Sequence, residues 1–412
     1  MSKYSKYASY KDSGVEWLGD VPSEWQIIRG KFLFSNKKNL NTFMQCETRL
    51  SLTLNGVVER SKTESEGLQP EKFDTYQIFN KDNLVFKLID LENKQTSRVG
   101  YVHKKGIMSP AYIRLEKSSD INIRFAYYLY FRLYIEYIFN SLGGNGVRSA
   151  LNADDLLEVA LQVPPLHEQQ AIANYLDIAT DKIDTLISKQ TKLIELLKEK
   201  RQALISHAVT KGLNPHAKMK QSGVEWLGEI PEHWIVSKIK YYGIYRSGDF
   251  ISADNIENKG SYPVLGGNGL RGYAELYNLN GDYVLIGRQG ALCGNINYAK
   301  GKFWATEHAI VVHNNSKVNV KWLGEMLRNM NLNQYSVSAA QPGLAVENIV
   351  NLISAVPPLH EQQTITNYLD NKTQKIDNLI KKATKAISLL KERRTALISS
   401  AVTGKINVRG IA

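Results

Sequence analysis

Val163–Leu213 reads VPPLHEQQAIANYLDIATDKIDTLISKQTKLIELLKEKRQALISHAVTKGL, and Val356–Ile406 reads VPPLHEQQTITNYLDNKTQKIDNLIKKATKAISLLKERRTALISSAVTGKI. About 35 of 51 positions are identical without a gap. From Leu166 to Thr210 there is neither Pro nor Gly. Apolar or small residues recur at Ile172, Leu176, Ala179, Ile183, Leu186, Leu193, Leu197, Leu204 and Ala208, stepping by three and four. That is the 3.5-residue period of a coiled coil. The second copy repeats it at Ile365, Leu369, Ile376, Leu379, Ala383, Ala386, Leu390, Leu397 and Ala401. The Pro pair before each copy forbids an earlier helix start, and Gly212 and Gly404 stand where C-terminal caps belong. Each segment predicts one helix of roughly 66 Å at 1.5 Å per residue. A stripe that long exceeds a small domain, although packing on its own globular region is the alternative. Two such stripes in one chain can bury each other, and a pseudo-twofold arrangement makes them antiparallel with a globular region at each end.

Working outward, a shorter repeat precedes each variable region. Ser13–Trp25 is SGVEWLGDVPSEW and Ser222–Trp234 is SGVEWLGEIPEHW. The expected role of Trp17, Trp25, Trp226 and Trp234 is core packing that anchors each head to the helices. The variable regions share little: Asn83–Asp90, Tyr283–Gly287 and Ala309–His313 read as strands. Phe125–Phe139 and Lys321–Met330 read as matching helices. The expected organisation is therefore 1–162, a first head with its Trp motif; 163–213, a central helix; 214–355, a second head; and 356–412, the last helix and tail. The fold class is α+β, with two α/β heads, two long antiparallel helices and an internal repeat.

Composition narrows the function. The chain has 412 residues and a net charge of +12, with 52 Lys+Arg against 40 Asp+Glu. The excess points to a polyanionic partner, nucleic acid first. Only Cys46 and Cys293 are present, so no disulfide framework or Cys-based zinc site is expected. Met1–Lys11 is polar and Tyr-rich, without an apolar leader core, and no run approaches the ~20 residues of a membrane span. A cytoplasmic protein is expected.

Catalytic motifs fare poorly. An adenine-N6 methyltransferase needs Asn or Asp before Pro-Pro and an aromatic residue after it, to hold the target amine and stack on a flipped base. Here Val163 and Leu166, or Val356 and Leu359, flank the Pro pairs. Gly267-Asn268-Gly269-Leu270-Arg271-Gly272 matches G-x-G-x-x-G, but a strand and turn, not a helix, are expected after it. His167-Glu168 and His360-Glu361 lack the second His of a zincin, and their carboxylates suit a helix first turn. No catalytic, cofactor or metal residue is expected in this chain.

The paired SGVEWLG-x-x-P-x-x-W, PPLHEQQ-x-I-x-N-YLD and LLKE-[KR]-R-x-ALI-S segments resemble the specificity (S) subunit of Type I restriction–modification systems. The resemblance covers nearly the whole chain, strongly in the repeats and weakly in the heads. It implies a non-enzymatic subunit whose two target recognition domains each read half of a bipartite site in double-stranded DNA. The antiparallel coiled coil fixes the spacer. Two methyltransferase (M) subunits dock on it, and restriction (R) subunits join where present. S-adenosylmethionine, ATP and Mg belong to those partners. A stand-alone DNA-binding protein, or a coiled-coil tether whose heads bind proteins, are the alternatives.

Base edges are read by Arg, Lys, Asn and Gln, and phosphates by cations, hydroxyls and amides. In the second head the candidates are Gly267, Asn268, Gly269, Arg271, Arg288 and Gln289, then Asn295, Asn297 and Lys300. In the first head they are Lys87, Arg98, Lys104 and Lys105, with Asn145 and Arg148 in a Gly-rich loop.

Overall fold

The computed structural model describes residues 4–54, 56–60, 73–89, 91, 98–142, 150–290, 292–336 and 343–410. The chain divides into two compact units, one of residues 1–190 with 385–412, the other of 191–384. The two long helices, Leu166–Lys211 and Leu359–Val402, each contribute a segment to both. Both start directly after the Pro pair. Gly212 (φ +75) and Gly404 (φ +71) adopt the left-handed conformation just beyond them.

Within the first unit the two helix segments are antiparallel. Ile172, Ala173 and Leu176 share a core with Ile398, Ala401 and Val402. Arg394 pairs with Asp184 at 2.9 Å. In the second unit Ile205, Ala208 and Val209 share a core with Ile365 and Leu369, and Arg201 pairs with Asp377 at 3.1 Å. Arg201 and Arg394 are the same position of the two repeats, as are Asp184 and Asp377. Several mid-helix leucines are exposed: Leu186, Leu193 and Leu379 within the stripe, and Leu196 and Leu389 beside it.

The head of the first unit carries two four-stranded sheets. One orders Gly56–Arg60, Arg49–Thr53, Gly106–Met108 and Gln77–Phe79; the other orders Phe34–Ser35, Ile113–Lys117, Leu84–Phe86 and Val99–Tyr101. The head of the second unit is a six-stranded sheet ordered Gly243–Ser247, Ala309–Asn314, Leu279–Gly287, Ile296–Ala305, Tyr262–Gly266 and Gly269–Ala274. One helix closes each, Ile123–Ile135 in the first and Val320–Asn329 in the second. The single helix expected over Phe125–Phe139 is broken, because Tyr137 takes φ 59 and a second short helix, Ile138–Leu142, follows.

The repeated HEQQ motif fastens each head to its long helix by the same set of bonds. Asn122 caps the first head helix, accepting from the amide of Phe125. Its own amide donates to Gln169 at 2.8 Å, and its side chain donates to Gln170 at 2.6 Å. Asn319 caps the second head helix and donates to Gln362 and Gln363, both at 2.8 Å. Gln169 and Gln362 each return a bond to the first carbonyl of the Pro pair, Pro164 and Pro357. The preceding Glu serves the Trp motif. Glu168 accepts from Trp25 Nε1 at 3.2 Å and from the Tyr7 hydroxyl. Glu361 accepts from Trp234 Nε1 at 3.2 Å, with His233 Nε2 2.8 Å away.

Trp25 and Trp234 are accordingly buried. Trp17 is half-buried beneath the Arg132 guanidinium, 5.4 Å from its ring centre. Trp226 corrects the expectation of four packed tryptophans: it is 40% exposed, whereas its counterpart Trp17 lies under Arg132. A further pair of matched contacts joins head helix to long helix, Arg124–Asp177 in the first unit and Lys321–Asp370 in the second.

Candidate nucleic-acid interface

In the second head the G-x-G-x-x-G stretch is a β-hairpin. Gly266 pairs with Gly269, leaving Gly267-Asn268 as a two-residue tip. Gly269 opens a strand, so no helix N-terminus is offered to a phosphate of a dinucleotide. Gly267 has no room for a side chain: a Cβ there would lie 2.5 Å from Gly287 Cα and 2.6 Å from the His308 carbonyl. This close approach brings the hairpin tip against the end of the central strand Leu279–Gly287.

Further segments meet there. Asn297 donates to the Gly267 carbonyl at 2.7 Å. Arg288 donates from its amide to His308 O at 3.0 Å and from its guanidinium to Ser247 Oγ at 2.9 Å. Gln289 Oε1 lies 2.9 Å from His308 Nδ1 and its backbone bridges to Gly343. Asn295 returns the loop, its carbonyl accepting from the Gly287 amide at 2.8 Å. Arg271 is exposed on the hairpin's second strand, its side chain lying over Gly266. The result is a loop face carrying two guanidiniums, an imidazole and several amides, with Glu307 beside His308 as the acid. Such groups can donate to phosphates and to the acceptor edges of purines.

The structure thus gathers Gly267, Asn268, Gly269, Arg271, Arg288, Gln289, Asn295 and Asn297 in one place. Lys300 is exposed but sits midway along the ladder, opposite Asp282. Ser247 and His308 were not singled out in the sequence. They come from distant strand ends, and no local pattern marks them.

The first head places different chemistry at the matching position. Leu151 donates to Leu88 O at 3.0 Å, just as Leu344 donates to Arg288 O at 2.8 Å. Lys87-Leu88-Ile89 therefore stands where Gly287-Arg288-Gln289 stands. Lys87 is half-buried, with its amide on the Arg98 carbonyl. Ile89 is 47% exposed, and a cavity of about 280 Å³ beside it is lined by Lys38, Gln77, Tyr112 and Asn152. Lys104 is exposed and pairs with Glu59, and Lys105 is exposed.

Arg98 requires correction as a DNA-reading candidate. It is 0% exposed and donates to the Ile89 carbonyl at 3.1 Å, so its guanidinium holds the loop from inside the head. Asn145 and Arg148 lie outside the described residues. One group was missed altogether. Phe43 (φ 67, 91% exposed) and Met44 (φ 55) project from a loop clamped by buried Asn41, whose side chain donates to Cys46 O at 2.9 Å. Consecutive non-glycine residues in this region carry strain, which no sequence pattern displays.

The fold is a duplicated scaffold that holds two chemically unlike loop faces. Residues 22–196 and 231–388 each match the family described as the Type I restriction modification DNA specificity domain. The two matches span most of the chain, and the protein belongs to that family.

Among relatives, the EcoprrI specificity subunit of Escherichia coli is 44% identical over 157 residues, 37% of this chain and 39% of that one. The MjaVIII specificity subunit of Methanocaldococcus jannaschii is 24% identical over 424 aligned positions, 95% of each chain. A solved chain described under "Structural basis underlying complex assembly and conformational transition of the type I R-M system" superposes with a TM-score of 0.72 at 13% identity, over 93% of this chain and 98% of that one. The HsdS subunit from Thermoanaerobacter tengcongensis gives 0.52 at 14% identity, over 94% and 98%. At those identities the solved chains show the shared fold. Among the described residues, no helix is long and apolar enough to cross a membrane.

Proposed function

We propose that this chain is the DNA-sequence-reading subunit of a Type I restriction–modification complex, with each head reading one half of a bipartite site. The observation that carries this is the pair of loop faces. One scaffold, held by the same Glu-Gln-Gln bonds, presents Arg288 and Gln289 in one head and, at the matching place in the other, the exposed Ile89 beside a buried Leu88. Unlike side chains on like supports are what two different half-sites require. The long helices act as the spacer, each about 66–69 Å at 1.5 Å per residue.

Two M subunits dock on the repeated scaffold, and R subunits join where the system has them. Exposed leucines at equivalent positions, Leu186 with Leu379 and Leu196 with Leu389, offer two equal apolar faces for this. The chain itself is non-catalytic and works in the cytoplasm. S-adenosylmethionine, ATP and Mg act on the partner subunits.

Arg288 gives the sharpest test. Arg288→Ala, measured by equilibrium binding to the cognate duplex, is expected to lose about 1–3 kcal/mol. The loss should be confined to the half-site read by the second head. Equal affinity, or an equal loss on unrelated duplexes, contradicts base reading by this face.

A further inference from the structure

Phe32 is 65% exposed and Tyr241 is 64% exposed. They occupy one position of the duplicated plan, the same distance beyond Trp25 and Trp234. Each ends a short 3-10 helix, Gly30–Phe32 or Ile239–Tyr241. Each has the preceding lysine over its ring, Lys31 Nζ at 5.6 Å and Lys240 Nζ at 5.7 Å from the ring centre. The lysines are themselves positioned at one matched site, Lys31 by Glu158 at 2.7 Å and Lys240 by Asn351 at 3.0 Å. A lone exposed aromatic calls for no explanation. A large aromatic with its lysine, kept on the surface at the same place in two heads that share little else, does.

The location separates this patch from the DNA-reading face. Strand Gly243–Ser247 starts just past Tyr241 and ends at Ser247, which accepts from Arg288. Five residues of strand place the two about 16 Å apart, at opposite ends. Beside the Tyr241 patch, Asn315 donates to the Tyr241 carbonyl at 2.8 Å. The adjoining Lys317 lines a cavity of about 430 Å³ with Ile235, Pro358 and Leu359. Leu359 and its counterpart Leu166 are 48% and 44% exposed.

We infer that Phe32 with Lys31, and Tyr241 with Lys240, are two equivalent docking anchors, each engaging one copy of the M subunit. A surface common to both units fits two copies of one protein, whereas the half-sites on the DNA differ. The partner's side is an apolar pocket with an acidic rim. The inference rests on the specificity-subunit reading.

The test uses the full chain produced together with a Type I methyltransferase subunit from the same source, with stoichiometry read by native mass spectrometry. Wild type is expected to carry two M copies. Phe32→Ser and Tyr241→Ser are each expected to weaken one copy at least tenfold, leaving a one-to-one complex, and the double variant should lose both. Lys31→Glu and Lys240→Glu, exposed charge reversals, should act in the same direction. Unchanged DNA affinity of each variant shows that its heads are folded. Two M copies held at wild-type affinity by the double variant and by the double charge reversal overturn the inference. A wild-type chain that binds no M subunit overturns instead the reading on which it rests.

Discussion

Exchange of residues 26–162 for the corresponding segment of another specificity subunit is expected to rewrite one half of the methylated DNA motif and leave the other half unchanged. The first head enters and leaves the scaffold at neighbouring residues. Strand Gln26–Arg29 pairs antiparallel with Ala160–Val163, so Gln26 lies directly opposite Val163. The second head does the same, Ile235 lying opposite Val356. A segment whose ends are adjacent can be replaced without moving what flanks it. The Trp25–Glu168 bond lies outside the junctions, and a donor segment with an Asn in the place of Asn122 keeps the helix cap against Gln169 and Gln170. Each wrong base pair costs about 1–3 kcal/mol, so several changed pairs amount to a complete loss of the old half-site. Mapping methylated adenines in cells carrying the exchanged chain checks this. A change in both halves contradicts the assignment of one head to one half.

Trp25→Ala is expected to destabilise the first unit by about 3–5 kcal/mol, the range for truncating a large buried aromatic. Trp25 is fully buried, its ring 5.7 Å from that of Tyr7 in an edge arrangement. Its Nε1–H also supplies a donor to the buried Glu168. Removal leaves a cavity and takes away part of what satisfies an interior carboxylate, and both effects have the same sign. The Gly404 turn closes over this ring, where a Cβ would lie 3.2 Å from Trp25 Cη2 and 2.4 Å from Pro22 Cγ, so the end of the second long helix loosens with it. Trp226→Ala, at a 40% exposed site, should cost about 1 kcal/mol or less. Urea unfolding of the two variants separates the cases, and equal midpoints would contradict the anchoring role of Trp25.

The helices were legible because their signals are local and doubled. The three-and-four spacing, the Pro pairs and the terminal glycines each act within a few residues, and the second copy repeats them. The meaning of HEQQ was less legible. Its carboxylate suggested a helix first turn, where Glu168 and Glu361 do lie. Its partners, Trp25 and Asn122 or Trp234 and Asn319, are brought to it only by tertiary structure. The heads were harder still. The loop face of the second head is assembled from Ser247, Gly267, Arg288, Asn297 and His308, which no spacing rule connects. The Gly-rich hairpin and the Arg288-Gln289 pair could be found because glycine marks close backbone approach. Arg98 shows the limit in the other direction. A cation in a strand-rich stretch reads as a surface group until the fold is seen to enclose it, and the carbonyl of Ile89 is a partner it finds inside. The exposed Phe43 and Met44 leave no trace in composition, since their prominence comes from backbone conformation.

The central claim is that two unlike heads on one repeated scaffold read two separate halves of one DNA site. Selection of bound duplexes from a random pool by the complex of this chain with its M subunits tests it most directly. The predicted result is a single motif of two short, unrelated sequence blocks separated by a gap of fixed length and no sequence preference, with Arg288→Ala relaxing positions in one block only. A single continuous motif, two identical blocks, or enrichment without any sequence preference would contradict it.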